Sequence, residues 1–247
     1  MTWDSTYYKE HATAQETSAL AIIKGLNLRR DEAILDIGCG EGTVTRHIAE
    51  RIPEGHVVGI DISEEMISLA IEELRLPNLR FECQGAESFT LQDTFDRVVS
   101  FHALHWVKDH ASILNQVKKV LKPGGTLHFL MVSGGDERIG EVFEREPWKS
   151  EIQNYEERFF NITAEDYQRL LKEHGFTVER IEKPGLIHSF RDLDHLTNHF
   201  MTWVPYATGF EPSRARQMAL EMAVKVADDK AEEISLETST LLIDARL

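Results

Sequence analysis

Leu35-Asp-Ile-Gly-Cys-Gly-Glu-Gly42 is the stretch on which the reading of this chain turns. It overlaps the apolar run Ala33–Ile37 and precedes a helical pattern from Val44 to Arg51, so the order is strand, glycine turn, helix. Glycines at such a junction let the backbone approach a ligand that side chains would exclude. A dinucleotide fingerprint has two residues between its second and third glycines and holds a pyrophosphate at the helix N-terminus. Here one residue separates Gly40 from Gly42, and the carboxylates of Asp36 and Glu41 stand in the loop. That acidity suits a ligand carrying ammonium and sulfonium groups better than a pyrophosphate. Taken alone, the loop also fits a tight turn in another α/β protein.

The pattern extends in both directions. Upstream, Ala14, Leu20, Ala21, Ile23 and Leu26 fall at helical spacing and predict a helix within an amino-terminal cap over residues 1–30. Downstream, His56–Asp61 reads as a strand, Ser63 is placed to cap a helix over Glu64–Glu73, and Leu79–Cys83 and Phe95–Phe101 read as further strands. A helix over Ser112–Leu121 stops at Lys122-Pro-Gly-Gly125, and Thr126–Val132 follows as a strand. This alternation predicts a doubly wound α/β fold in one domain over 1–247, with a mostly parallel sheet and ligands beyond the carboxyl ends of the strands. Residues 133–162 are expected to form an insertion over the site, with a helix from Thr163 to His174 after it. A strand over 177–190 is interrupted at Pro184-Gly185, a helical elaboration covers 192–236, and Thr240–Leu247 is the last strand.

Composition narrows the function. The 247 residues, 42% hydrophobic, suffice for a full core, and a formal net charge of −15 argues against a nucleic-acid surface, which needs clustered Lys and Arg. Cys39 and Cys83 lie far apart and outside any metal-ligand spacing, so neither a disulfide nor a metal site is expected. The polar, aromatic start has no cleavage pattern and no apolar run reaches membrane-spanning length, so the expectation is a cytoplasmic protein without a membrane span. The pattern carries no signal of oligomeric state.

Asp61 closes a strand in Gly59-Ile-Asp-Ile-Ser63, where a carboxylate can accept hydrogen bonds from both hydroxyls of a ribose; a helix N-terminal charge is the alternative. Together, Leu35–Gly42, Gly59–Ser63, Phe95-Asp-Arg-Val-Val-Ser100 and Leu121-Lys-Pro-Gly-Gly125 resemble the successive motifs of class I S-adenosylmethionine-dependent methyltransferases, over at least residues 30–132. The resemblance implies a seven-stranded Rossmann-like sheet, S-adenosyl-L-methionine as methyl donor and S-adenosyl-L-homocysteine as product. It implies that Asp36, Gly38, Cys39 and Gly40 hold the methionyl part and Asp61 the ribose. Ile62, Gly85, Ala86 and Glu87 would flank the adenine, and Ser100, Phe101 and His102 would lie beneath the methyl donor. Tyr8 and Met66 complete the expected cofactor set.

Beyond the shared core, Tyr7-Tyr8 followed by Gln15, and Phe101-His-Ala-Leu-His-Trp-Val107, resemble the trans-aconitate and juvenile hormone acid methyltransferases. Those enzymes esterify carboxylates, which implies a small or lipid-like carboxylic acid as acceptor, its carboxylate met by Gln15 and Trp106. A carboxylate is ionised at neutral pH and needs no general base, and near-attack positioning alone supplies about 7–11 kcal/mol. His102 and His105 hold the rival reading, as bases for a hydroxyl, amine or carbon acceptor. A module that binds the cofactor without turnover is the non-enzyme alternative. The 133–162 insertion carries Phe143, Trp148, Tyr155, Phe159 and Phe160 amid Arg145, Lys149 and Arg158. It is expected to act as a lid whose aromatics enclose an apolar tail and whose cations meet its acid group, a solvated surface being the alternative. His188, His195 and His199, with Asp192 and Asp194, form no tight ligand set and read as a charged helix start.

Overall fold

Short apolar runs that alternate with amphipathic helices bury both of their faces only when they stack as a parallel sheet between two helical layers. The computed structural model describes residues 3–152, 158–227 and 234–247. Its strands are β1 (Ala33–Ile37), β2 (His56–Asp61), β3 (Leu79–Cys83), β4 (Phe95–Phe101), β5 (Leu121–Gly134), β6 (Thr177–Glu182), β7 (Gly185–Phe190) and β8 (Ile234–Arg246). The helices are α1 (Ser5–His11), α2 (Thr13–Gly25), α3 (Thr43–Arg51), α4 (Glu64–Glu73), α5 (His110–Val120), α6 (Glu137–Phe143), α7 (Trp148–Glu151), α8 (Ala164–Glu173), α9 (Leu193–Met201), α10 (Val204–Thr208) and α11 (Pro212–Ala227).

The sheet runs β3-β2-β1-β4-β5-β8-β6, with β7 also paired to β8. Strands β1 to β5 are parallel, and β8 enters antiparallel between β5 and the β6–β7 edge. The expected seven positions are therefore filled by eight strands, because the run broken at Pro184-Gly185 forms β6 and β7 end to end along β8. Two boundaries differ from expectation. β8 begins at Ile234, so the helical elaboration ends at Ala227 among the described residues; the polar Ser235, Glu237 and Ser239, exposed in alternation with Leu236, hide that part of the strand. The 133–162 stretch opens with the end of β5 and then forms α6 and α7.

Period-two alternation in β1 sends its residues to two cores. Leu35 and Ile37 join Val58, Val98 and Phe129 against Ile113 and Val117 of α5 and Tyr167 of α8. Ile34 joins Val57, Val99 and Leu130 against Ile23 of α2 and Ile48 of α3. A third core builds the cap from Val142, Trp148, Phe200, Val204, Met218 and Met222. At the amino ends of the parallel strands, an ionic chain crosses the sheet: Glu32 to Arg97 (3.1 Å), Arg97 to His128 (2.5 Å), His128 to Asp244 (2.8 Å) and Asp244 to Arg180 (2.7 Å). The opposite end of the sheet opens into cavities.

Trp148 keys the cap. It is 1% exposed, its indole N–H donates to Glu221 Oε2 at 2.8 Å, and the Arg214 guanidinium lies 4.0 Å over its ring. Trp148→Ala removes this volume with little room for α11 to collapse, and is expected to cost about 3–5 kcal/mol, read as a lowered urea midpoint against the unaltered protein.

Candidate active site

The order of the sheet reverses at β1, whose neighbours β2 and β4 lead away in opposite directions, and this leaves a crevice at its carboxyl end. The glycine loop fills one side. Gly38 and Cys39 donate backbone N–H groups to Ile60 O at 2.8 and 3.0 Å, which pins the loop to β2. Gly38 has φ +73°, and a Cβ there would sit 2.2 Å from the Ala103 Cβ, so only glycine lets this loop abut the turn after β4. At Gly40, φ +55°, an added Cβ would meet nothing within 4 Å; its open side faces the crevice.

Two adjoining cavities occupy the crevice. The smaller lies among Asp36, Gly38, Cys39, Gly40, Glu16 and Glu41, with Lys9 also on its lining but paired with Glu73, so the carboxylates outnumber the ammonium and the lining is acidic on balance. Asp36 is 2% exposed and accepts from Thr45 Oγ1 at 2.7 Å. Burial pushes its carboxyl up to about 7, against the lowering hydrogen bond from Thr45, with Asp61 and Glu41 adding repulsion. Asp61 takes Gly40 N–H at 3.0 Å on one oxygen and Ser63 N–H at 2.9 Å on the other. Each oxygen keeps a further lone pair, so the carboxylate is set to receive two hydroxyl donors. Burial raises its pKa, and these backbone donors work the other way.

The larger cavity, about 580 Å³, continues from this wall to the cap. Tyr8, Gln15, Asp61, Ile62, Met66, Gly85, Ala86, Glu87, Phe101, His102, His105 and Trp106 all line it. Ser100 does not reach either cavity. It is fully buried and its hydroxyl donates to Ile37 O at 2.7 Å, tying β4 to β1. Cys39 packs against Phe81 and Ile67, and burial drives its thiol upward, away from nucleophilic chemistry.

The turn after β4 is strained: His102 has φ +55°, and its backbone N–H donates to Leu130 O at 2.8 Å. Its Nε2 meets Ser18 Oγ at 2.7 Å; because that hydroxyl also donates to Gln15 O (2.9 Å) or Ala14 O (3.1 Å), it accepts from His102 Nε2–H. Burial, reinforced by His188, holds His102 down to about 4. His105, 4% exposed, is held well below the usual imidazole range by burial and by His102 and His110, and takes Val132 N–H on Nδ1 at 3.4 Å.

Trp106 stands in an aromatic wall with Trp3, Tyr206 and Phe159, ring centroids 5.8, 5.2 and 5.7 Å away. Phe159 and Phe160 line the cavity as the lid reading expects, whereas Trp148 belongs to the cap core and Phe143 stacks on Trp203; Tyr155 lies outside the described residues. The expected cations point elsewhere. Arg158 donates to Tyr206 O at 2.6 Å and Lys149 pairs with Glu144 at 2.7 Å, and Lys108 is the only lysine or arginine among the described lining residues. Gln15 lines the cavity as well, its Nε2 lying 3.5 Å from Thr202 Oγ1 and its Oε1 buried without a partner. Trp3, His188, His199 and Tyr206 line the cavity unannounced by any motif, since each enters through the packing of the cap. Asp192 caps α9 through His195 N–H at 2.7 Å, which is the charged helix start expected there. Among the described residues no three His, Cys, Asp or Glu side chains gather around a metal position, and no helix is long and apolar enough to cross a membrane.

Comparison with known proteins agrees with this architecture. Residues 34–125 match the family model described as "Methyltransferase domain". The chain is 30% identical over 216 residues to an uncharacterized methyltransferase of Schizosaccharomyces pombe, covering 80% of this chain and 81% of that one. It is 31% identical over 157 residues to a trans-aconitate 2-methyltransferase of Variovorax paradoxus, covering 62% of this chain and 60% of that enzyme. Among solved structures, the YcgJ protein of Bacillus subtilis superposes with a TM-score of 0.64 at 20% identity, over 93% of this chain and 97% of that one. A doubly wound sheet with an acidic, glycine-lined crevice at its switch point thus has its counterpart among methyl-transferring enzymes. The chain belongs to the class I S-adenosylmethionine-dependent methyltransferases.

The residues present fit that cofactor: two free lone pairs on Asp61 for a ribose diol, an open face at Gly40, and an acidic pocket for ammonium and sulfonium charge. Asp36 is then expected to make binding pH-dependent. Its folded-state pKa of about 7 exceeds the roughly 3.9 of an unfolded aspartate, so the unbound protein loses stability as pH rises between these values. A cationic ligand favours the ionised form, so affinity for S-adenosylmethionine is expected to rise from pH 6 to pH 8. Asp36→Asn should flatten that rise, weaken binding, and raise the melting temperature of the unbound protein at pH 7; calorimetric titration and thermal melts at several pH values read all three.

Proposed function

We propose that this enzyme methylates a carboxylate oxygen of a small acid with a largely apolar body. One observation carries the reading: among the described residues, the imidazoles that line the acceptor cavity are all shifted by burial away from acting as a base near neutrality. His102 is held near 4 and His199 near 3, both chiefly by burial, and His105 and His188 are shifted in the same direction. A hydroxyl or ammonium acceptor must lose a proton to become nucleophilic, whereas a carboxylate is already ionised. S-adenosylmethionine, when bound, supplies an electrophilic methyl group on a sulfonium.

The chain's residues divide the remaining work. Asp61 and the Gly38–Gly40 loop hold the donor, with Asp36 and Glu41 answering its positive charge. The Trp106 indole N–H is the donor that orients the acceptor carboxylate. Gln15 lines the cavity with its amide nitrogen 3.5 Å from Thr202 Oγ1, and the second N–H of that amide remains for the carboxylate. The aromatic wall excludes water, which strengthens attraction between a carboxylate and a sulfonium. With Lys108 the single described cation on the lining, the site suits one carboxylate rather than several. The named activity of the Variovorax relative, on a tricarboxylate, supports the reaction type but not that substrate.

Release of S-adenosylhomocysteine across a panel of mono- and polycarboxylic acids tests this. Base-labile methyl esters of monocarboxylic acids are expected, with kcat at saturating cofactor flat between pH 6 and 9. A kcat limb with an apparent pKa between 7 and 9, or turnover confined to alcohols or amines, overturns it. Trp106→Phe keeps the ring and removes the N–H; kcat/KM for the acid is expected to fall roughly 10- to 100-fold, the worth of one hydrogen bond to a charged group, with cofactor affinity retained.

A further inference from the structure

The sequence predicts a lid over residues 133–162, but α6 and α7 of that stretch are keyed into the cap core through Val142 and Trp148. A different element covers the crevice without being anchored in a core. In the segment 3–11, which carries Trp3, Asp4 and α1, no side chain belongs to a hydrophobic core of the described residues, and α1 has no buried residue. Yet this segment walls both cavities: Trp3 lines the larger, Lys9 the smaller, and Tyr8 lines the two together.

Three contacts at its surface hold the segment down. Lys9 pairs with Glu73 of α4, both side chains partly exposed, and a pair of that kind adds little net stability. The Tyr7 hydroxyl donates to Asn198 Oδ1 of α9 at 3.0 Å, an oxygen that also accepts from Arg216 Nη1 at 3.0 Å. Trp3 makes the third attachment, stacked on Tyr206 with ring centroids 4.6 Å apart and meeting Trp106 and Tyr8 edge-on at 5.8 and 5.7 Å. Ring pairs in these geometries attract beyond the area they bury, which makes Trp3 the main latch. Behind the segment, Ala12 (φ −82°, ψ 31°) separates α1 from α2, whose Ala14, Ala19 and Ile23 are held in the cores. An element with few core contacts, joined to a fixed helix through a single non-helical residue, is the part of a fold that opens first.

We infer that residues 3–11 form a strap that swings about Ala12 to pass the cofactor and closes on Trp3 as its latch. Because Trp3 and Tyr8 belong to the cavity walls, the movement that admits the cofactor also leaves the larger cavity unfinished until the strap is shut. A strap shut in both the empty and the loaded protein slows entry and exit alike. Loosening it therefore raises both rate constants and leaves their ratio, the Kd, in place, whereas loss of a direct cofactor contact raises dissociation alone.

The test measures association and dissociation of tritiated S-adenosylhomocysteine with Trp3→Ala and Asn198→Ala. Asn198 lines neither cavity, so its side chain acts on the cofactor only through the strap. Both rate constants are expected to rise, by about fivefold or more in Trp3→Ala and about two- to threefold in Asn198→Ala, with Kd held within about twofold. A urea midpoint near that of the unaltered protein checks that each variant is folded. Unchanged rates in both variants overturn the strap. A rise confined to dissociation in Trp3→Ala, with Asn198→Ala silent, overturns it as well and makes Trp3 a wall that touches the cofactor. Neither outcome depends on which acceptor is methylated.

Discussion

The contact between Gly38 and the Ala103 turn governs the site. Any side chain at position 38 would collide with the Ala103 Cβ, so the loop after β1 and the turn after β4 close on one another only because one of them has no side chain. That closure brings the acidic pocket of Asp36 and Glu41 against the strained His102 turn, and the two cavities share Gly38, Gly40, Phe101 and His102 as a common wall. Under the proposed reading, donor and acceptor meet at this wall, where two loops at the switch point of a parallel sheet close on one another.

Around this contact the molecule divides its polarity. The ionic chain from Glu32 to Arg180 sits at the amino ends of the parallel strands, where charges are paired in line and stiffen the sheet. At the carboxyl ends the buried groups are under-compensated instead: a carboxyl at 36 raised by burial, and neutral imidazoles at 102, 105 and 199. Such strain is carried where a ligand relieves it. Asp36 illustrates the exchange, since the feature that weakens the unbound protein is the one that answers a cation.

The elements of the sheet were legible because each obeyed a local rule. Ser63 and Thr163 cap their helices by accepting from Met66 and Asp166, and β2, β3, β4 and α4 fall on their predicted boundaries. That the residues expected to hold the cofactor line one crevice was legible for a related reason: they sit on the turns between consecutive elements, where spacing alone fixes position. Ser100 is the exception, adjacent in sequence but turned by strand alternation to bond Ile37 behind the wall. The cap-side lining of the larger cavity was not legible. His199, His188, Tyr206 and Trp3 come from separated elements joined only by cap packing, and Arg158 turned to the Tyr206 carbonyl because α10 ends beside it. Long-range packing of this kind leaves no period in the chain.

Apolar enclosure has a chemical consequence for a cationic donor. A sulfonium attacked by a neutral amine keeps its positive charge in the products, whereas one attacked by a carboxylate loses it as the anion is consumed. Withdrawal from water destabilises a separated ion pair far more than the neutral ester that replaces it, so a low-polarity wall accelerates the second reaction selectively. Under the proposed reading, Trp3, Trp106, Phe159 and Tyr206 therefore do more than enclose an apolar tail. They create the medium in which charge cancellation drives methyl transfer. The same logic disfavours arginines on that wall, because a guanidinium bound to the carboxylate would stabilise the very charge that must be spent. A monocarboxylate oriented by a neutral indole donor, as the proposed reading has it, keeps its nucleophilicity.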